Sequence, residues 1–123
     1  MSTASVTSTI STHVLDTALG CPARQLRVTL ALLEPDGSFR AVAEGLTDAD
    51  GRISEWRGQQ PRPEPLAAGA YRLTFDTGAY LAATGRPAFY PRVDVIFTVE
   101  EPPRHHHIPL LLSPFGYSTY RGT

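Results

Sequence analysis

Residues 25–46 read QLRVTLALLEPDGSFRAVAEGL, and this stretch decides the fold class. From Leu26 to Leu32 every second side chain is a large apolar one, and this period of two predicts a half-buried strand over residues 25–33. The following tripeptide Pro35-Asp36-Gly37 predicts a turn, because Pro sets φ and Gly permits positive φ. Residues 39–46 then return as a second strand, so the stretch is a β-hairpin.

Working outward from this hairpin, the chain reads as more short strands separated by turn signals. They are predicted at residues 53–56, 71–75, 93–99, 105–112 and 117–121. Residues 58–65, with three prolines, predict a loop. Residues 77–84 (TGAYLAAT) predict the single short helix, which Gly85 and Pro87 end. Seven or eight strands and one helix indicate an all-β sandwich.

Composition limits the class of protein. The chain has 123 residues, 41% hydrophobic and 19% charged, which is typical of one globular domain with a modest core. Its net charge of -1 gives no reason to expect nucleic acid as a partner. A single cysteine, Cys21, excludes an intramolecular disulfide. No apolar run approaches a membrane span of about 20 residues, and no membrane association is expected.

The first residues suggest an N-terminal arm. Residues 1–11 are rich in Ser and Thr and uncharged, and they lack the basic and apolar regions of a secretory signal. We therefore expect a flexible arm over 1–11, one domain over 12–123, and a cytoplasmic location.

Two segments place potentially reactive groups beside predicted strands. His13 is a candidate because histidine is the residue type most used for proton transfer, although a lone His near a strand start is more often structural. Arg52 follows Asp48-Ala49-Asp50-Gly51, which resembles the opening of a calcium loop but lacks its Glu and flanking helices. A tight turn is favoured there. Arg52 would then be either a fixed clamp for an anion or carbonyl, or a solvated side chain.

A third segment carries three consecutive histidines. On a strand, His105 and His107 share one face, while His106 falls on the core-like face with Ile108. Two imidazoles could bind zinc if a third ligand such as His13 joined them, but general-base chemistry is favoured over metal binding. Pro109 has no N–H, which predicts an edge strand or a bulge. An edge strand with an apolar face invites pairing with a second subunit.

Two segments of the chain resemble the signatures of the 5-hydroxyisourate hydrolases, a transthyretin-like family. Residues 13–23 (HVLDTALGCPA) resemble the N-terminal signature, and residues 105–123 (HHHIPLLLSPFGYSTYRGT) resemble the C-terminal one. Residues 50–52 and 90–93 also fit, so the resemblance covers nearly the whole chain from Thr12 onward. Vertebrate transthyretin, the hormone carrier on the same fold, lacks the His-x-His and the Tyr-Arg-Gly-Ser ending.

The resemblance implies a fold, an assembly and a set of site residues. The fold is a prealbumin/transthyretin-like sandwich of two four-stranded sheets with one short helix. The assembly is a homotetramer, a dimer of dimers, with active sites in a channel where the dimers meet. The implied catalytic residues are His13, Arg52 and His107. The implied substrate-binding residues are His13, Arg52, Ser118, Tyr120, Arg121, Gly122 and Thr123, and His105 is a weaker candidate.

The resemblance also implies a reaction. Water opens the cyclic amide of 5-hydroxyisourate, giving 2-oxo-4-hydroxy-4-carboxy-5-ureidoimidazoline during degradation of urate to allantoin, with no metal or organic cofactor. Two departures from the family pattern are Thr123, where Ser is usual, and His106, where Tyr is usual. We expect the protein with Thr123 to remain active, and we expect His106 to affect only the packing of the core.

Two non-enzymatic alternatives stand beside the hydrolase. One is a transthyretin-like carrier that holds a small aromatic ligand without turnover, and the other is a structural sandwich used for protein interaction. A carrier needs an apolar lining, whereas this sequence brings His, Arg and Tyr to the expected channel, which favours the hydrolase.

Overall fold

The computed structural model describes residues 9–53, 55–58, 66–102 and 104–123. In chain order the elements are β1 (Thr9–Asp16), β2 (Cys21–Pro22), β3 (Arg27–Leu33), β4 (Phe39–Leu46), β5 (Arg52–Ile53), β6 (Arg57–Gly58), β7 (Gly69–Phe75), α1 (Thr77–Ala83), β8 (Val93–Val99), β9 (His105–Ser113) and β10 (Gly116–Thr119).

The strands form two sheets with the core between them. The first sheet has the order β10-β9-β1-β2, with β5 also paired to β1, and the second has the order β6-β4-β3-β7-β8. The predicted two-sheet sandwich with one short helix is confirmed. Each sheet has five strands rather than four, because the two-residue strands β2, β5 and β6 add to the longer ones.

The hairpin that decided the fold class lies in the second sheet. β4 has the predicted bounds, and the turn before it holds Gly37 at φ 89°. β3 begins at Arg27 rather than Gln25, because Gln25 adopts a positive φ of 58° that a strand does not accommodate. The apolar face of β3 is fully buried at Val28 and Leu30, against the facing strands of the first sheet.

The N-terminal boundary differs from the prediction. Residues 9–11, assigned to the flexible arm, belong to β1, which pairs in parallel with β9 along its whole length. Residues 1–8, the rest of that arm, lie outside the described residues. β1 stays in the sheet because its alternate side chains, from Ile10 to Asp16, are buried.

The predicted strand over residues 53–56 is found only at Ile53, the last residue of β5 in the first sheet, and Glu55 and Trp56 lie outside the strands. The next strand, β6 at Arg57–Gly58, belongs to the second sheet. The buried Trp56 lies between them and donates from Nε1 to the carbonyl oxygen of Ile10 at 3.3 Å. Most of the predicted loop over 58–65 lies outside the described residues, and Gly58 belongs to β6.

The prediction that Pro109 marks an edge strand or a bulge is wrong, and the register of β9 with its two neighbours shows no shift. β9 lies between β1 and β10, and β10 is the edge instead. The β10 ladder ends at the pair of Thr119 and Leu110, so it does not require an N–H from Pro109. The Thr119 hydroxyl instead donates to the Pro109 carbonyl at 2.6 Å.

The helix α1 matches its prediction to within a residue, ending at Ala83 rather than Thr84. No helix in the described ranges is long and apolar enough to cross a membrane.

Candidate active site

The outer face of the first sheet carries most of the predicted site. In β1, Ser11 and His13 point outward and are half-buried, while their neighbours point into the core. In β9, His107 is likewise outward and half-buried, whereas His106 points inward and is 8% exposed. The predicted division of the histidines between the two faces is therefore confirmed.

Strand register brings the three predicted catalytic residues onto this face. His13 is directly opposite Arg52 in the antiparallel pairing of β1 with β5. On the other side of β1, Ser11 is opposite His107 in the parallel pairing with β9. Adjacent strands lie about 4.8 Å apart, so His13, Arg52 and His107 are neighbours although they are distant in sequence.

A rigid turn places Arg52. One carboxylate oxygen of Asp48 accepts from the backbone N–H of Asp50 at 2.8 Å and of Arg52 at 3.0 Å. These bonds lower the pKa of Asp48, and the bond from the Arg52 N–H has the larger effect. Gly51 adopts φ 75°, and a Cβ there would collide with the Val14 carbonyl oxygen. The predicted tight turn is confirmed, and its geometry sets the first residue of β5.

The surroundings of His107 favour its neutral form. Burial lowers the pKa of the imidazole, and the electrostatic effects of Arg52, His105 and His13 lower it further. Nδ1 is hydrogen-bonded to the Ser11 hydroxyl at 2.8 Å. Nε2 has no hydrogen-bond partner among the residues that the structure describes, so this nitrogen is the one open to a water or substrate.

The C-terminal tail folds back against His107. The N–H of Gly122 donates to the His107 carbonyl at 2.8 Å. A Cβ at Gly122 would lie 2.5 Å from Cδ2 of the imidazole, so only glycine lets the tail approach this closely. Tyr120 and Arg121 line a hollow of about 320 Å³ together with His107.

The structure places the other predicted residues at several points of the first sheet and of the tail. Ser118 pairs with Leu111, two rows further along the same outer face. Thr123 is exposed at the end of the tail, one residue beyond Gly122. Arg52 borders a separate hollow of about 340 Å³. On a single chain the predicted set therefore spreads over an open sheet face between two hollows.

Sequence reasoning missed two hydroxyl groups of the site. The Ser11 hydroxyl lies between two imidazoles, 2.7 Å from Nε2 of His105 and 2.8 Å from Nδ1 of His107. The Thr9 hydroxyl is hydrogen-bonded to Nδ1 of His105. Thr9, Ser11 and His13 alternate in the sequence, which would have placed all three on one strand face. The assignment of residues 1–11 to a flexible arm prevented this conclusion.

A buried ionic cluster anchors the far end of β1. Asp16 is 1% exposed and accepts hydrogen bonds from the Tyr80 hydroxyl at 2.7 Å and from the guanidinium of Arg86. Burial by itself raises the pKa of Asp16, but the bonds from Arg86, Tyr80 and the Leu19 N–H outweigh it and lower the pKa to about 2. This cluster holds β1 against α1 and takes no part in the outer face.

Within the described ranges, no group of three His, Cys, Asp or Glu side chains is placed to hold a metal ion. His105 and His107 are instead bridged by the Ser11 hydroxyl.

Comparison with known proteins agrees with this architecture. The model of the HIUase/Transthyretin family matches residues 10–122. The chain belongs to this family. It is similar to the 5-hydroxyisourate hydrolase of Mus musculus, with 40% identity over 121 residues that cover 98% of this chain and 99% of that protein.

Solved structures similar to this chain include a hydrolase and a protein bound to thyroxine. The 5-hydroxyisourate hydrolase of Klebsiella pneumoniae is 38% identical with a TM-score of 0.77, covering 94% of this chain and 99% of its own. Sea bream transthyretin in complex with thyroxine is 34% identical with a TM-score of 0.83, covering 93% of this chain and 94% of its own. Backbone similarity alone therefore does not separate hydrolysis from thyroxine binding, and the side chains of the site have to distinguish them.

Proposed function

We propose that this protein is a 5-hydroxyisourate hydrolase, which opens the cyclic amide of its substrate with water to give 2-oxo-4-hydroxy-4-carboxy-5-ureidoimidazoline in the degradation of urate to allantoin. The observation that carries the proposal is the meeting of His13, Arg52 and His107 on one sheet face through the pairing of β5, β1 and β9. The relatives that carry this name over nearly the full chain support it.

His107 is the proposed general base. Its lowered pKa keeps the imidazole neutral near pH 7, so Nε2 can take a proton from a water molecule. Its Nδ1 is held by Ser11, which leaves one ring nitrogen oriented away from the sheet.

Arg52 is the proposed partner of the carbonyl oxygen. Its guanidinium is always charged and stabilises the negative charge that develops as water adds to the amide carbon. His13, directly across from Arg52, orders the water or donates a proton onward.

The C-terminal segment is the proposed substrate-holding part. Tyr120 hydrogen-bonds a urea-like edge of the planar substrate, and Ser118, Arg121, Gly122 and Thr123 line the same cleft. This scheme places every proton transfer on protein side chains, so it requires no metal or organic cofactor.

The carrier alternative predicts an apolar lining for the channel. Here the face bears four ionisable side chains within two strand spacings, namely His13, Arg52, His105 and His107. Charged groups of this density are costly beneath an apolar ligand, which favours the hydrolase over a carrier.

We also propose the homotetramer, a dimer of dimers, in which a second copy closes the open catalytic face. β8 and β10 both stand at the ends of their sheets, where strand edges invite pairing. Large apolar side chains near these edges are exposed, including Ile96 at 62% and Phe115 at 69%. A cytoplasmic location remains a prediction, which cell fractionation tests.

The activity is tested with substrate generated in situ from urate by urate oxidase, by following its ultraviolet decay. The protein should accelerate the decay, and His107→Ala and Arg52→Ala should each reduce the rate to near the uncatalysed one. Arg40→Ala, an exposed arginine on the second sheet, is the matched control and should stay active. If the unaltered protein does not accelerate the decay, the proposed function is wrong. Full activity of both His107→Ala and Arg52→Ala would contradict the mechanism. Inhibition by chelators would contradict the expectation that no metal is required.

A further inference from the structure

Four side chains form a continuous hydrogen-bonded row along the outer face. The row runs from the Thr9 hydroxyl to Nδ1 of His105, from its Nε2 to the Ser11 hydroxyl at 2.7 Å, and from there to Nδ1 of His107 at 2.8 Å. His107 is half-buried and His105 is exposed, so the row leads from the inner end of the site toward solvent.

Every link of this row can both give and accept a proton. A hydroxyl donates one hydrogen and accepts another, and a neutral imidazole does the same through its two nitrogens. The row therefore has two complete hydrogen-bonding arrangements, which differ in the direction of every bond. In one of them Nδ1 of His107 carries the hydrogen and Nε2 has the free lone pair that a general base needs.

The proposed reaction releases a proton to solvent. Hydrolysis of the cyclic amide yields a carboxylic acid, which ionises near neutral pH, and a urea-type nitrogen, which is not basic. Of the two protons of the attacking water, one goes to the leaving nitrogen and the other must leave the site.

We propose that Ser11 and His105 form a proton relay that carries this second proton from His107 to solvent, an inference that rests on the proposed function. Ser11 and His105 are positioning residues here, since they act through His107 and need not touch the substrate.

The proton transfers balance along the row. The O–H bond of water breaks, its oxygen bonds to the amide carbon, the C=O π electrons move onto the carbonyl oxygen, and the proton forms a bond to Nε2 of His107. When this oxyanion re-forms its double bond, the C–N bond breaks and the remaining water proton goes to the leaving nitrogen, so the product is a carboxylate. The hydrogen on Nδ1 of His107 passes to the Ser11 oxygen, and the Ser11 hydrogen passes to Nε2 of His105. The hydrogen on Nδ1 of His105 leaves through Thr9 or directly to solvent. His107 thus avoids building up a full positive charge beside Arg52, which already disfavours its protonation.

The competing interpretation is that Ser11 and His105 only hold the ring of His107 in place. His105→Gln separates the two. The Gln amide can keep a hydrogen bond to Ser11, but it cannot accept a proton on one atom and release one from another. If Ser11 and His105 only hold the ring of His107, the His105→Gln variant should keep its kcat. If they form a relay, its kcat should fall.

We expect Ser11→Ala and His105→Gln each to lower kcat about 10- to 100-fold with little change in KM. This is less than the roughly 100- to 10,000-fold typical of a group that exchanges a proton directly with the reactants, because both residues act through His107. The double variant should be no slower than either single variant, because both interrupt one path. Ser11→Thr retains the hydroxyl and should keep most of kcat. Thr74→Ala, which removes a hydroxyl bonded to Asp94 on the second sheet, is the matched control.

The decisive readout is the dependence of kcat on the deuterium fraction of the solvent. The unaltered enzyme should give a curved plot, because several protons move in one transition state, and Ser11→Ala and His105→Gln should give straight plots. Unaltered kcat in His105→Gln, or curved plots in both variants, would overturn the relay. Melting temperatures close to that of the unaltered protein exclude misfolding. Failure of the unaltered protein to accelerate the decay at all would instead overturn the proposed function.

Discussion

His107 lies in surroundings that oppose a positive charge on its ring. It is half-buried, and the electrostatic effects of Arg52, His105 and His13 lower its pKa further. Both features disfavour the imidazolium form. A base must be neutral to act, so the environment rather than the residue type selects His107 for this role.

The environment of His107 predicts a pH dependence. Because the pKa of His107 lies below its ordinary value of 6.5, the acid limb of kcat/KM should fall off below that pH. In Arg52→Gln a positive charge is lost, so the pKa of His107 should rise, and NMR titration of the imidazole C–H measures this independently of activity. Arg40→Gln should leave the titration unchanged. A pKa of His107 at or above 6.5 in the unaltered protein would contradict the electrostatic account.

Gly122 predicts a second effect at the scale of one residue. In Gly122→Ala the added Cβ would lie 2.5 Å from Cδ2 of the His107 imidazole, so either the ring or the C-terminal tail must shift. We expect at least about a tenfold loss of kcat with little loss of stability, since small misplacements of catalytic groups are costly. Gly116→Ala is the control, because its Cβ lies 3.7 Å from the Ser113 hydroxyl in ordinary contact. Equal activity of both variants would show that the tail does not position His107.

At the scale of elements, β1 organises the site. It pairs with β9 on one side and with β2 and β5 on the other, so it sets the position of His107 and of Arg52 together. Its end is fixed by Asp16, whose carboxylate is buried with Arg86 and Tyr80. A change at Asp16 therefore reaches the outer face only through the strand.

Asp16→Asn should destabilise the protein by about 2–4 kcal/mol at neutral pH, because it leaves Arg86 without its charged partner. The pKa of Asp16 is lowered from 3.8 to about 2 in the folded state. Its stabilisation, about 2 kcal/mol by linkage, is thus present above pH 4 and lost as pH falls toward 2. Denaturant unfolding measured across this range should show a fall in unfolding free energy that is smaller by about this amount in Asp16→Asn than in the unaltered protein.

The control for Asp16→Asn is Glu44→Gln, which breaks the exposed pair with Arg27. Both side chains of that pair are more than half exposed, at 59% and 54%, so the change in unfolding free energy should stay within about 0.5 kcal/mol. A loss at Asp16 no larger than at Glu44 would show that the buried cluster does not anchor β1.

At the scale of the whole molecule, the single chain leaves the proposed catalytic face open and exposes several large apolar side chains near its sheet edges. Tyr117 on the edge strand β10 is 45% exposed and packs against Tyr90, with the rings tilted by 60° and their centroids 5.1 Å apart. These features fit a surface that is covered by another copy of the chain, as in the proposed tetramer.

Tyr117→Arg should therefore disrupt the proposed assembly by placing a charge in an apolar interface. Light scattering after size exclusion should show a mass below that of four chains, together with a loss of hydrolysis. Leu33→Arg is the matched control, since Leu33 is 38% exposed at the far end of β3. An unaltered protein that is monomeric and fully active would contradict the tetramer.

The proposed residue roles depend on features that local sequence predicts well. Strands 39–46 and 93–99 were predicted with the bounds found in the structure, and the burial of His106 followed from alternation alone. These succeed because a period of two is a local property, set by the pleat and by which face meets the core.

Tertiary pairing decided the rest. Ser11 and His107 are hydrogen-bonded although they are 96 positions apart in the sequence, and Asp16 and Arg86 although they are 70 apart. No local sequence pattern predicts contacts between residues so far apart in the chain. The parallel pairing of β1 with β9 also turned the predicted arm residues Thr9 and Ser11 into site residues and moved β9 from the edge to the interior of its sheet. The sequence by itself determined which faces are apolar and which residue types are available. Only the global competition to bury those faces determined which strands meet, because register depends on the sum of contacts along both strands.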